Sequence, residues 1–284
     1  MDYWQVDVFA ERVLAGNGLA VFPDARGLSG AAMLGLTREL RQFESIFLEP
    51  GTRPGEFAAR VFTVEEELPF AGHPILGAAA LLHHLHAPGE HAEWALQLPE
   101  KRVTLATRRQ GEGFYAEMNQ GVAEFGAELD AKAAEAFAAA FSSEWDRRHA
   151  PRVVSTGLPY LLLPVTAAGL AGARQQRGLD EELAAIGAAF VFLLDVDARE
   201  GRTWDPLGVV EDIATGSAAG PVAAWLVDKG LEPRGPGFAL NQGRFLDRPS
   251  RLDVRVDESG QVHVGGAVQL LAQARLLVAP DRLA

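Results

Sequence analysis

The stretch ELPFAGHPILGAAALLHHL, residues 67–85, opens on polar residues and becomes almost wholly apolar after Gly72-His73-Pro74. Its apolar part has the length and small-residue density of a buried helix, with Pro74 tolerated in the first turn. A second stretch repeats the design. EDIATGSAAGPVAAWL, residues 211–226, passes from acidic residues through Thr215-Gly216-Ser217 into another alanine-rich apolar run. The two occupy similar places in the two halves of the chain, which predicts two related units. A helix N-terminus leaves backbone N–H groups unpaired and carries partial positive charge, so each turn is a candidate grip for an anionic substrate. Gly72 and Gly216 suit the close backbone approach this needs. Ser217, or Thr215 before it, is expected to cap its helix or to bond a ligand.

The chain's 284 residues suit one large domain or two of roughly 130 residues each. With 48% hydrophobic and 23% charged residues it has the composition of a core-forming globular protein. A net charge of -12 argues against a nucleic-acid or anionic-membrane partner, either of which wants a basic face. The start, MDYWQVDVFAERVLAG, has no basic region followed by a long apolar one, so no secretory signal is expected. No apolar run reaches the roughly 20 residues that span a bilayer. The absence of cysteine fits a cytoplasmic chain and excludes disulfides, thiolate metal sites and cysteine nucleophiles.

Working outward, YWQVDVF and LAVFPD read as strands joined through Gly16-Asn17-Gly18, and GAAMLGLTRELRQF reads as a helix. ESIFLEP, EFAARVFTV, AEWALQLPE, RVTLATRR and GFYAEMNQ are further strands, closing a first unit near residue 118. The second unit starts with the helix AKAAEAFAAAF. Strands PRVVSTG and YLLLPV follow, then a helix around DEELAAIGAA and the buried strand FVFLLDV. The segment GVVED is expected to be a strand running into the glycine turn. The tail, GFALNQG, RLDVRVD and QVHVGGAVQLLAQARLLV, is strand-rich.

Taken singly, the candidate chemical groups have ordinary readings. Asp212, expected at the end of an apolar strand, resembles a turn-former. His73 resembles a cap or a satisfied core histidine, and Glu44 an exposed acid between a helix and a strand. GNGLAV lacks the βαβ setting of a dinucleotide fingerprint, TGSAAG is not a G-x-S-x-G elbow, and no phosphate-binding G-x-x-x-x-G-K occurs. HHLHAPGEH brings His83, His84, His86 and His91 close in sequence, but no carboxylate stands at metal-ligand spacing. A solvated helix end is expected there, and a solvated loop at Glu65-Glu66-Glu67.

Together, in order along the chain, DVFAERVLAGNGLAVF, ESIFL, RVFTVEEELPFAGHPILG, VVSTGLPYLLLPV, GVVEDIATGSAAG and NQGRFLDRPSRLDVRV resemble the signature blocks of the PhzF-like (phenazine-biosynthesis) isomerase family. The resemblance implies an α/β (α+β) fold like that of diaminopimelate epimerase: two pseudo-symmetric domains, each a curved mixed sheet around a central helix, with the active site in the cleft between them. The domains expected are 1–118 and 119–272, with the last strand, about 273–284, completing the first. Epimerases of this fold use paired cysteines in the two turns. This chain has none, so two-thiol racemisation is excluded.

By motif, the resemblance places Glu44 as the proton-carrying acid, with His73, Asp212 and Ser217 completing the catalytic set. Gly72, Thr215, Gly216 and Ala218 become the substrate-binding backbone of the turns. The implied reaction needs no cofactor and no metal: a carboxylate takes a proton from carbon beside an unsaturated system and returns it elsewhere on the same face. The expected partner is a small carboxylated, amino- or ring-bearing metabolite, and the expected assembly a homodimer. Two other readings are weighed beside it: a non-catalytic small-molecule binder of the same fold, and a metal-dependent hydrolase built on His83–His91. The chain departs from the family pattern at Ile213 and Gly18, where proline is usual, and at Ile75, where threonine is usual. These departures bear on the substrate and leave every presumed acid/base group in place.

Overall fold

The computed structural model of the chain describes residues 1–205, 207–279 and 282–283. Of the stretch 273–284 expected to complete the first unit, Pro280, Asp281 and Ala284 lie outside the described residues. The chain divides into two compact units, Met1–Asn119 with Gly265–Ala284, and Gln120–Val264.

The first unit contains β1 (Asp2–Val8), β2 (Asn17–Phe22), α1 (Gly30–Leu40), β3 (Glu44–Pro50), β4 (Glu56–Thr63), β5 (Glu67–Leu68), α2 (Gly72–His86), β6 (His91–Gln97), β7 (Arg102–Gln110) and β8 (Gly113–Val122). Its strand order is β1-β2-β3-β4-β6-β7-β8, with β5 beside β4. The long final strand of the chain (Gln261–Arg275) follows β8 in that order and pairs with β1, Asp2 opposite Arg275 and Val8 opposite Val268, so the sheet closes on itself. β2 and β3 run parallel, as do β4 and β6; the other paired neighbours with a defined register run antiparallel.

Helix α2 is apolar on every face, the pattern of a helix enclosed by protein. Every residue from Gly72 to His83 is buried, and the helix packs against β1, β2, β3 and β7. Full burial of Ile75, Leu76, Leu81 and Leu82 stabilises the fold by roughly 1.5–3 kcal/mol each. Gly77 sets how closely the helix approaches the sheet: a Cβ there would lie 2.6 Å from Leu19 and 2.9 Å from Val8. On the opposite face of the sheet, α1 contributes Ala32, Met33 and Leu36 to a core with Ala20, Phe22, Phe47 and Phe62. Stacked rings Tyr3–Phe22–Phe47 run through that layer.

The second unit contains β9 (Glu124–Glu128), α3 (Ala131–Ala140), β10 (Arg152–Ser155), β11 (Pro159–Pro164), α4 (Ala167–Gly172), α5 (Asp180–Ala185), β12 (Phe190–Asp195), β13 (Glu200–Thr203), α6 (Gly216–Asp228), β14 (Phe238–Gln242), β15 (Ser250–Val256) and the start of β16 (Gln261–Arg275). The order is β9-β10-β11-β12-β13-β14-β15-β16, again with two parallel pairs, β11 with β12 and β13 with β14. Its apolar helix α6 packs against β10, β11 and β15 and, like α2, is buried through most of its length. Residues of α3, α4 and α5 share a separate core with β11 and β12.

Three local expectations are corrected. Gly16-Asn17-Gly18 is not a tight hairpin, because Asn17 and Gly18 already pair with Val8 and Asp7 in the sheet. The connection is the longer loop 9–16, held by Ala10 N–H donating to the Ala267 carbonyl. GVVED forms no strand: only an isolated bridge, Trp204 to Glu211, links that segment to the end of β13. Asp205 explains this, since its carboxylate accepts from Val210 N–H (2.5 Å) while its own N–H donates to the Val210 carbonyl (2.9 Å). Such side-chain bonding competes with a strand and closes a turn, leaving Val209 and Val210 exposed. The Glu65–Glu67 run is only partly a solvated loop, because Glu67 forms β5 and its carboxylate accepts two bonds from Arg60 (2.7 and 2.6 Å).

Candidate active site

In the first unit, α1 ends at Arg41, whose left-handed backbone (φ 51°) turns the chain toward β3. Glu44 is the first residue of that strand, flanked by Leu19 of β2 and Thr63 of β4. This placement buries it to 7% exposure, against the exposed position expected for an isolated acid. His73 stands in the first turn of α2 and is equally buried, with Nδ1 3.3 Å from Glu44 Oε2 and 3.4 Å from Asn17 Nδ2. It caps nothing: the N-cap is Ala71, which makes no side-chain cap.

Desolvation by burial pulls His73 down from its usual value to about 3. The imidazole is therefore neutral near pH 7, and its contact with Glu44 is not an ion pair there. The other ring nitrogen, Nε2, is buried and has no hydrogen-bond partner among the described residues. A buried acid against a neutral imidazole with an unused nitrogen is an arrangement able to move protons at low solvation cost.

In the second unit, Glu211 and Asp212 precede the turn into α6. Arg202 of β13, itself only 2% exposed, grips Glu211 with two bonds of 2.7 Å and reaches the Leu170 and Ala173 carbonyls. Asp212 Oδ2 accepts from the Thr215 hydroxyl (2.6 Å), and Asp212 N–H donates to the Thr203 carbonyl. Ser217 Oγ lies 2.7 Å from the Tyr160 hydroxyl. Neither Thr215 nor Ser217 caps α6 with its side chain, since each oxygen is engaged elsewhere. Thr215 N–H donates to Gln242 and Ala218 N–H to the Thr215 carbonyl. The helix mouth is left with Gly216 and Ser217 N–H as donors without a partner among the described residues, and Gly72 and His73 open α2 in the same way.

Several participants escape a motif reading. Asn17 faces His73 from the start of β2, and Gln242 binds the Asp212–Thr215 turn from the end of β14. Gln120 donates to the Gly216 carbonyl and accepts from Thr156. A Cβ on Gly220 would fall 2.0 Å from the Gln120 amide oxygen, so that glycine makes room for the contact. These polar residues stand far from their partners in sequence. The one available signal is that each lies inside a quoted block or at its edge.

The histidine-rich end of α2 is solvated as expected at His84, His86 and His91, which are exposed, and departs from that expectation at His83 alone. His83 is fully buried, its Nδ1 2.8 Å from Thr107 Oγ1 and its Nε2 2.9 Å from the Gly89 carbonyl. Both ring nitrogens are thus engaged with protein. Among the described residues, no group of three or more His, Cys, Asp or Glu side chains is placed to hold a metal ion. No helix among them is long and apolar enough to cross a membrane.

Comparison with known proteins extends over nearly the whole chain. A profile of the family described as phenazine biosynthesis-like protein matches residues 6–274. The chain belongs to that family. It is 33% identical to a trans-2,3-dihydro-3-hydroxyanthranilate isomerase of Pseudomonas aeruginosa over 96% of this chain and 98% of that protein. The structure of a predicted epimerase, also from Pseudomonas aeruginosa, matches with a TM-score of 0.94 and 65% identity, covering 98% of this chain and 99% of that one. A hydroxyproline epimerase from Agrobacterium vitis, at 14% identity and TM-score 0.60 over 97% of this chain and 90% of its own, shares the fold alone. The PhzF-like resemblance and the epimerase-like α+β fold read from the sequence are both borne out. The protein is an isomerase of the phenazine biosynthesis-like family.

Proposed function

We propose that this PhzF-family isomerase shifts a proton on a small carboxylated, amino- or ring-bearing metabolite by acid/base catalysis, in the manner of a trans-2,3-dihydro-3-hydroxyanthranilate isomerase. The observation that carries the reading is the buried Glu44–His73 pair, 3.3 Å apart, with His73 neutral. Glu44 removes the proton from carbon and returns it to another carbon of the same substrate, so nothing is consumed and no cofactor is required. His73, with Nε2 uncommitted inside the protein, adjusts a proton on a substrate amine or ring atom. The N–H groups opening α2 and α6 hold carboxylate, and Asp212 and Ser217 serve the same substrate.

Incubation in heavy water with candidate carboxylated metabolites tests the proposal. Deuterium should enter the substrate carbon with wild-type protein and not with Glu44→Gln; undiminished uptake in that variant sinks the assignment. Activity should survive exhaustive dialysis against a chelator. A homodimer and a cytoplasmic location belong to the same proposal, with light scattering and cell fractionation as their measurements.

A further inference from the structure

We propose that Gln242 is a positioning residue that keeps the hydrogen of the Thr215 hydroxyl aimed at the Asp212 carboxylate. The proposal rests on the reading of Asp212 as a member of the catalytic set. Gln242 ends β14 and is 2% exposed. Its carboxamide spans the turn before α6 from both sides. Oε1 accepts from Thr215 N–H (3.1 Å), while Nε2 donates to the Asp212 carbonyl (2.9 Å) and to Thr215 Oγ1 (3.0 Å).

The direction of every bond in this chain follows from one backbone group. Thr215 N–H can only donate, so the amide oxygen must face it and Nε2 must lie on the other side. Both Nε2 hydrogens are then committed, one to the Asp212 carbonyl and one to Thr215 Oγ1. A hydroxyl that receives a hydrogen from Nε2 cannot send its own back. Its single hydrogen goes to Asp212 Oδ2, 2.6 Å away, a length typical of a hydroxyl donating to a charged carboxylate. The bond favours the ionised form of Asp212.

The backbone leaves little freedom for another arrangement. Gly243 follows Gln242 in a left-handed conformation (φ 81°), and a Cβ there would lie 2.7 Å from the Ile213 carbonyl and 2.3 Å from that of Arg248. The end of β14 and the turn are therefore packed main chain against main chain, with the carboxamide inserted between them. Ile213 imposes no proline restraint on this turn; Gln242 joins the Asp212 N–H bond to the Thr203 carbonyl and the Arg202 grip on Glu211 in holding it.

Carbon-13-detected NMR titration of the Asp212 carboxyl in the free full-length chain provides the test. Thr215→Val and Gln242→Met should each raise its midpoint by about one unit, the loss of a charge-assisted hydrogen bond. Thr215→Ser, which keeps the hydroxyl, should return it to the wild-type value. The double variant should move it no further than Thr215→Val alone, because both act through the same hydrogen. A folded Gln242→Met chain with an unmoved midpoint overturns the proposal. If Gln242→Met does not fold, an unmoved midpoint in the near-isosteric Thr215→Val does so. Absence of deuterium uptake by the wild-type chain would remove the functional reading, and the titration would still decide this one.

Discussion

The two glycine turns look alike in sequence and differ in how their polar groups are satisfied. At the mouth of α2, Glu44 and His73 are desolvated, and His73 retains a buried nitrogen without a partner among the described residues. At the mouth of α6, Asp212 is half-buried, and Thr215, Gln242, Tyr160 and Arg202 interlock around it and its neighbours. Burial of a titratable group shifts its proton affinity, as at His73. A satisfied network fixes geometry. Under the proposed function, the contrast is read as proton movement chiefly at the first turn and positioning chiefly at the second.

The sharpest way to break that contrast is Glu44→Gln, which should lower proton exchange by about 10²–10⁴-fold with little change in fold, measured by deuterium uptake. A comparable loss from Tyr160→Phe would reverse the assignment.

The next effect is on stability against pH. His73 titrates near 3 in the folded chain and near 6.5 when unfolded, so between those values the unfolded state binds more protons. Stability attributable to His73 is complete above about pH 6.5 and falls by roughly 1.4 kcal/mol per pH unit as the medium is acidified toward 3. Denaturant unfolding at pH 7, 6, 5 and 4 should show this slope, and His73→Phe should flatten it.

Smaller still is the packing difference between the two helices. Gly77→Ala drives a methyl into Leu19 and Val8 and should cost about 1–3 kcal/mol, read as a lower denaturation midpoint. Gly220→Ala meets the flexible end of Gln120 instead, so stability should fall less while the Gln120 bond to the Gly216 carbonyl is lost. Equal destabilisation by the two would show that both helices are held by packing alone. The smallest effect belongs to Tyr160→Phe, which removes one hydroxyl from Ser217 and should reduce turnover by no more than about tenfold.

Much of the fold was legible because its signals are local. Strand alternation in ESIFLEP gives β3 at Glu44–Pro50, and the apolar run of GHPILGAAALLHHLH gives α2 at Gly72–His86. The segment GVVED failed as a strand because Asp205, outside the apolar run, bonds across it and closes a turn. His83 was misread for a related reason: its partners Thr107 and Gly89 come from the sheet and the following loop, and helix periodicity carries no information about either.

The sequence by itself determined the composition of the chemistry. It excluded thiols, supplied two glycine turns opening apolar helices, and carried Glu44, His73, Asp212 and Ser217 within blocks that resemble those of the family. Only the tertiary structure decided that Glu44 is buried rather than exposed, that His73 is neutral, and that Thr215 turns its hydrogen to Asp212 rather than capping its helix. The reason is physical. Helix and strand periods are set by near neighbours along the chain, whereas desolvation and hydrogen-bond direction depend on groups such as Asn17 and Gln242 that only folding brings near.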